Sequence, residues 1–146
     1  MEERLIAPWG MNCSICTSYL AMKNDLKKKG FEKKYCAGCI PRGKNCVFMK
    51  HCELLGNGLV RFCYQCSDYP CRRLTAFDKR YRGKYHMSVI ENLNLINSNG
   101  IRKFLEREAT KWRCIKCGGT ICCHNGLCYY CELETLRQRP KYRWEE

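Results

Sequence analysis

The sequence predicts a small, metal-stabilised, mainly α fold with irregular Cys-rich knuckles and, at its C-terminal end, a ribbon with short β-hairpins. Three observations predict it: 15 cysteines among 146 residues, their repeated C-x2-C spacing, and a cysteine-free stretch of helical periodicity between two cysteine-rich ones. About a tenth of the chain is cysteine, beyond the roughly 8–10% that marks a cysteine-organised scaffold. An odd count, paired spacing and no export signal favour thiolates on metal over disulfides.

The first cysteine-rich stretch holds Cys13-x2-Cys16, Cys36-x2-Cys39, Cys46, Cys52, Cys63-x2-Cys66 and Cys71. Between its first two pairs, Thr17 to Lys29 reads as one helix, with Thr17 or Ser18 as N-cap and Gly30 as the stop. A second helix is expected from about Asp68–Pro70, carrying Leu74, Phe77 and Tyr81 on one face. Val89, Ile90, Leu93 and Ile96 make a third stripe, which Asn97-Ser98-Asn99-Gly100 should end. Ile101, Phe104, Leu105, Ala109 and Trp112 keep helical spacing directly after it. Such short helices need tertiary packing to persist. Beyond Cys131 a short helix and then a loose tail are expected. The implied division is 1–112, a Cys-rich metal-binding domain whose helical half spans about 72–112; 113–134, a zinc ribbon; and 135–146, a basic and aromatic tail.

Cys114-x2-Cys117 and Cys128-x2-Cys131, ten residues apart, form the clearest metal pattern. Four thiolates close a tetrahedral zinc shell, and such a shell is structural. Gly118-Gly119 lets the chain fold back. In the N-terminal stretch, loop length favours Cys36, Cys39, Cys46 and Cys52 on one ion, leaving Cys13 and Cys16 to meet Cys63 and Cys66. An interleaved arrangement joining Cys63, Cys66 or Cys71 to the Cys36 pair is the alternative. About three zinc sites result, with Cys71, Cys122, Cys123 and His124 as possible extra ligands or reactive thiols. His51 is a substitute for Cys52. An iron–sulfur cluster in the N-terminal region is the chemical rival, although the C-x2-C-x2-C-x3-C-P run of bacterial ferredoxins is absent.

Net charge is +13, and residues 71–116 carry +8 of it. Each four-thiolate zinc carries a formal −2, so three of them would lower the field but leave it positive. A basic balance fits a polyanionic partner: RNA, other nucleic acid or a ribonucleoprotein. The candidate contacts are Arg72, Arg73, Lys79, Arg80, Arg102, Lys103, Arg107 and Lys111. Tyr81, Tyr85, Trp112, Tyr129, Tyr130, Tyr142 and Trp144 are rings that could stack on bases if exposed. A protein partner fits the same features. No zinc-finger spacing or basic zipper indicates a sequence-specific DNA reader.

No stretch approaches the roughly 18 apolar residues of a membrane span. Met1-Glu2-Glu3-Arg4 leads into no apolar signal region, so a cytoplasmic protein is expected. No H-E-x2-H, phosphate loop or Ser/His/Asp set is present. Glu106 and Glu108 read as ordinary surface charges. The expected function is therefore a non-catalytic zinc-binding interaction protein; the alternative is an iron–sulfur or thiol-based redox or metal-handling protein.

Gly10-Met11-Asn12-Cys13-Ser14-Ile15-Cys16 with Tyr19, Cys36-Ala37-Gly38-Cys39, and Phe62-Cys63-Tyr64-Gln65-Cys66-Ser67-Asp68-Tyr69-Pro70-Cys71 resemble a cysteine-rich domain-of-unknown-function family, DUF3795, of archaea and bacteria, many of them anaerobes. The resemblance covers most of residues 9–131. It implies a small metal-binding α-rich fold and an archaeal or bacterial source, and supplies no activity. One position departs from the pattern: Trp9 stands where the family has a cysteine before the glycine, so a ligand set copied from relatives would lack one member here.

Overall fold

A computed structural model of the chain describes residues 1–43, 47–139 and 144. Cys46 and Tyr142, which the sequence reading singles out, lie outside them. Among the described residues seven α-helices run in order: α1 (Thr17–Lys23), α2 (Val47–Lys50), α3 (Glu53–Gly56), α4 (Arg72–Lys84), α5 (Val89–Asn99), α6 (Ile101–Lys111) and α7 (Leu133–Gln138). Among the described residues, none of them is long and apolar enough to cross a membrane.

The sequence-based helix over 17–29 is two pieces. Cys16, not Thr17 or Ser18, is the N-cap of α1, which stops at Lys23. Asp25 adopts a left-handed conformation at φ 49°, and Leu26–Lys29 continue as a 3-10 turn that Gly30 ends. Leu20 and Leu26, six positions apart and so on different faces of a straight helix, are both buried on either side of the break. The stripe expected on α5 is present: Val89, Leu93 and Ile96 are buried, and Ser88 caps the helix by accepting from Glu91 N at 3.0 Å. The breaker is shorter than expected. Helix α5 runs through Asn99, and Gly100 alone, at φ 87°, turns the chain into α6.

Helices α4, α5 and α6 pack in sequence around the main core. Leu5, Ile6, Trp9, Ile15, Phe48, Leu74, Leu93 and Phe104 belong to that core. Trp9 is 5% exposed and stacks on Phe48 at 5.3 Å, with the rings of Phe77 and Tyr81 edge-on at 5.6 and 5.9 Å. Trp9 thus serves as an aromatic core anchor. A smaller core joins the two cysteine-rich ends: Leu20 and Leu26 pack with Cys122, Leu127, Tyr129 and Leu136.

The expected β-hairpins are not formed. Among the described residues the C-terminal module has isolated antiparallel bridges, Arg113 to Thr120 and Ile121 to Cys128, and no sheet. The segment is used up by tight turns. Gly118 N donates to Cys114 O at 2.9 Å and Gly126 N to Cys122 O at 2.8 Å, leaving too few extended residues for a ladder.

Candidate metal centre

Two knuckles build the C-terminal site. In each, a C-x2-C turn points both sulfurs to one side, and the bridge at Ile121 to Cys128 sets the knuckles face to face. The sulfurs of Cys114, Cys117, Cys128 and Cys131 all lie within 4.8 Å of one another. Across the knuckles, Cys114 Sγ is 3.6 Å from Cys131 Sγ, and Cys117 Sγ is 3.5 Å from Cys128 Sγ. A tetrahedral ion with metal–sulfur bonds of about 2.3 Å requires sulfurs about 3.8 Å apart. The quartet fits a single metal ion. Cys114 and Cys128 are buried while Cys117 and Cys131 face solvent, so the centre sits at the surface with one side sealed.

Gly119 allows this closeness. A β-carbon there would lie 3.2 Å from Cys117 Sγ and 3.3 Å from Cys128 Sγ. Backbone N–H groups of Cys117 and Lys116 hold the Cys114 thiol down to about 7, whereas desolvation and the neighbouring sulfurs of Cys117, Cys114 and Cys128 push Cys131 up to about 12. Four thiolates this close repel, and a cation is what would let them all ionise. Glu132 braces the second knuckle from outside: it accepts from Cys128 N at 2.8 Å and pairs with Lys116 at 3.2 Å.

The N-terminal cysteines are gathered differently from the loop-length expectation. Cys39 N donates to Cys13 Sγ at 3.4 Å, and burial, with Cys122 and Cys36 nearby, pushes the Cys16 thiol up to about 11. Cys13 and Cys16 therefore lie against the Cys36–Cys39 pair. Cys63 and Cys66 lie instead with Cys52 and Cys71 along one cavity. Burial, then the proximity of Cys52, Cys71 and Cys66, pushes the Cys63 thiol up to about 12. Loop-closure entropy grows only logarithmically with length, so it is too weak to decide which pairs meet. Apart from the C-terminal quartet, no three described ligands lie within 4.8 Å of one another.

A family model described as a protein of unknown function (DUF3795) matches residues 5–76. This segment belongs to DUF3795. No curated protein and no solved structure matches the chain. The DUF3795 segment is shorter than the 9–131 expected: it takes in the three N-terminal C-x2-C pairs and Cys71, and ends before the C-terminal quartet. Gly10 and Asn12 of the DUF3795 segment reach α5 and α6 beyond its end, since Asn92 Nδ2 donates to Gly10 O at 2.9 Å and Asn12 Nδ2 to Glu108 at 3.3 Å.

Cys122, Cys123 and His124 join the DUF3795 segment to the C-terminal module. Both cysteines have no exposed surface, Cys123 N donates to Ile15 O at 2.9 Å, and Thr17 N donates to His124 Nδ1 at 3.3 Å. Burial pushes both thiols up, Cys122 to about 11, the reverse of what an activated nucleophile needs. Cys71, a further candidate thiol, is the N-cap of α4, its sulfur accepting from Leu74 N at 3.4 Å.

Of the expected cationic residues, Arg72, Lys79, Arg80, Arg102, Lys103, Arg107 and Lys111 are exposed. Arg73 lies 4.4 Å over the Phe48 ring, and Arg107 reaches Glu91 at 3.5 Å. The rings fare differently. Trp112 and Tyr129 are buried, and Trp144 donates to Cys123 O at 2.7 Å, whereas Tyr130 is 66% exposed. Sequence reasoning also missed the buried polar residues Asn12, Asp78, Asn92 and Glu108. Glu108 is no surface charge. Its place at i+4 from Phe104 on the inward stripe of α6 was the available signal.

Proposed function

We propose that this chain is a zinc-organised, non-catalytic interaction module that docks on RNA through the exposed cations of α4 and α6. One observation carries the reading: each helix turns one acid inward, Asp78 on α4 and Glu108 on α6, and leaves most of its bases in water, with Glu106 as the one exposed acid between them. On α4, Asp78 is buried and accepts from the Ser88 hydroxyl at 2.6 Å, while Arg72, Lys79 and Arg80 are exposed. On α6, Glu108 is buried, while Arg102 and Lys103 are exposed and, among the described residues, have no carboxylate within ion-pairing distance. The water-facing sides of α4 and α6 therefore present mainly cations.

Zinc supports this reading as the filler of the Cys114–Cys131 quartet, where a closed four-thiolate shell supplies folding free energy and no open coordination position. Tyr130, exposed on the second knuckle, is the ring best placed to stack on a base. Binding of this kind is read as salt-dependent affinity with little sequence preference. The test is fluorescence anisotropy with single-stranded and duplex RNA across a salt series. Replacing Arg102, Lys103 and Arg107 together by Gln should weaken binding uniformly across sequences and flatten the salt slope by about 2–3. Unchanged affinity and slope would remove this face from the function.

A further inference from the structure

Four cysteines outside the C-terminal quartet line one partly open cavity. Cys52 precedes α3, Cys63 and Cys66 flank a 3-10 turn, and Cys71 caps α4. Their common cavity holds about 150 Å³ and is walled mainly by apolar groups, among them Phe48, Leu55, Val60 and Leu74. A water molecule occupies about 30 Å³ of liquid, so the space exceeds what one ion between touching sulfurs would leave.

The contrast with the quartet is informative. There, cross-knuckle sulfurs stand 3.5 and 3.6 Å apart, the spacing of a mononuclear tetrahedral shell. Among the four cavity cysteines, no three sulfurs come within 4.8 Å of one another. They surround a void instead of converging on a point. An inorganic core of several atoms, with each terminal thiolate bound to its own iron or sharing one with a single partner, needs that wider arrangement.

We propose that Cys52, Cys63, Cys66 and Cys71 ligate an iron–sulfur cluster. The surroundings suit it. A mainly apolar wall limits the water around sulfide bridges. Arg73, on the cavity lining and packed over Phe48, supplies positive charge against the net negative charge of a thiolate-ligated core. Leu74 N already donates to Cys71 Sγ at 3.4 Å, the kind of N–H to sulfur contact that tunes such a centre. His51, also on the lining, is a neighbouring group that does not ligate. Loading is a ligand exchange without change of oxidation state. A donor cluster capped by four thiolates passes its core to the protein: four iron–thiolate bonds to the donor break and four to the cysteines form. Each cysteine S–H proton leaves on a departing thiolate.

The experiment uses the full chain, purified without oxygen, with its C-terminal metal quantified. It is mixed in separate runs with synthetic thiolate-capped two-iron and four-iron clusters, desalted, and assayed for iron, sulfide, absorption near 400 nm and electron paramagnetic resonance after reduction by dithionite. The expected result is about two or about four iron atoms with equal sulfide per chain, falling at least tenfold in Cys63→Ser/Cys66→Ser while that variant keeps the metal content of its C-terminal quartet. Retention of the cluster by the cavity variant, no iron retained by the parent, or uptake of zinc in place of iron by these four thiols would overturn the proposal. Should the cavity variant lose its helical circular dichroism, Cys71→Ser decides, because a serine hydroxyl preserves the N-cap acceptor for Leu74. Its resonance spectrum should shift or vanish, and a spectrum identical to the parent's counts against the site.

Discussion

Asn12 and Glu108, 96 positions apart in sequence, meet in the interior, where the Asn12 amide donates to the Glu108 carboxyl at 3.3 Å. Neither is more than 3% exposed. Asn12 also accepts from Ser14 N at 3.1 Å and from the Ser14 hydroxyl, so it fixes the turn that carries Cys13 while holding α6. The first cysteine pair is thereby positioned by a helix that begins almost ninety residues later.

Burial raises the Glu108 carboxyl above its ordinary value of 4.5. The folded chain then keeps this proton after the unfolded chain has released it, so the contribution of Glu108 to stability falls as pH rises from about 4.5 through the raised folded value. Glu108→Gln, which has no proton to lose, should remove this slope and leave the protein at least as stable at pH 7. Glu108→Ala should cost about 1–3 kcal/mol by leaving the buried Asn12 amide unpaired. Urea unfolding between pH 4.5 and 7 separates the two; a steeper slope in the Gln variant would contradict the account.

His124 gives the opposite sign. Burial lowers its imidazole from 6.5 to about 4, so the unfolded chain takes up a proton that the folded chain refuses. The associated stability is present above pH 6.5 and is lost as pH falls toward 4, a change of about 3 kcal/mol. In His124→Asn, with an amide oxygen to accept from Thr17 N, this part of the acid sensitivity should disappear. Thermal melts of both proteins between pH 4 and 7 provide the check, and parallel pH profiles would refute it.

Gly10 and Gly83 should respond in opposite directions to alanine. A β-carbon at Gly10 would lie 2.3 Å from Val89 O, and its φ is +93°, so Gly10→Ala should cost about 2–3 kcal/mol or more. At Gly83, inside α4, a β-carbon meets nothing within 4 Å. Gly83→Ala should stabilise by about 0.5–1 kcal/mol. Midpoints of denaturant unfolding report both.

At the C-terminal quartet, Cys128→Ser should remove one metal ion per chain. Gly119→Ala should lower metal affinity about 10–100-fold by crowding two sulfurs without removing a ligand. Competition with a colorimetric chelator measures both effects. Affinity in the parent should fall with pH, since ligation requires thiolates and displaces protons. Full affinity in Gly119→Ala would show that the sulfurs can move aside without loss.

Part of this was readable in advance because it is local. The inward residues of α5, and Phe104 on α6, follow from helical periodicity, although Ala109 of the expected α6 stripe is exposed, and Gly100 follows from the need for a conformation that side chains resist. Cys114, Cys117, Cys128 and Cys131 were readable as one set because two tight knuckles ten residues apart have little choice of partner. The N-terminal thiols were not, since nine cysteines admit many pairings of similar closure cost. Glu108 stands among surface-like charges, so its spacing from Phe104 was the one local sign of an interior place, and packing shows that it and Trp9 are both buried.

The sequence by itself determined the helical middle, the glycine stops and the C-terminal quartet, whose causes lie within a few turns of chain. Tertiary structure alone decided that Cys52 and Cys71 join Cys63 and Cys66, that Cys122 and Cys123 are buried joints, and that Asn12 reaches Glu108. Those relations depend on which surfaces exclude water together. That choice is made by burial summed over the whole chain, and residue spacing carries no record of it.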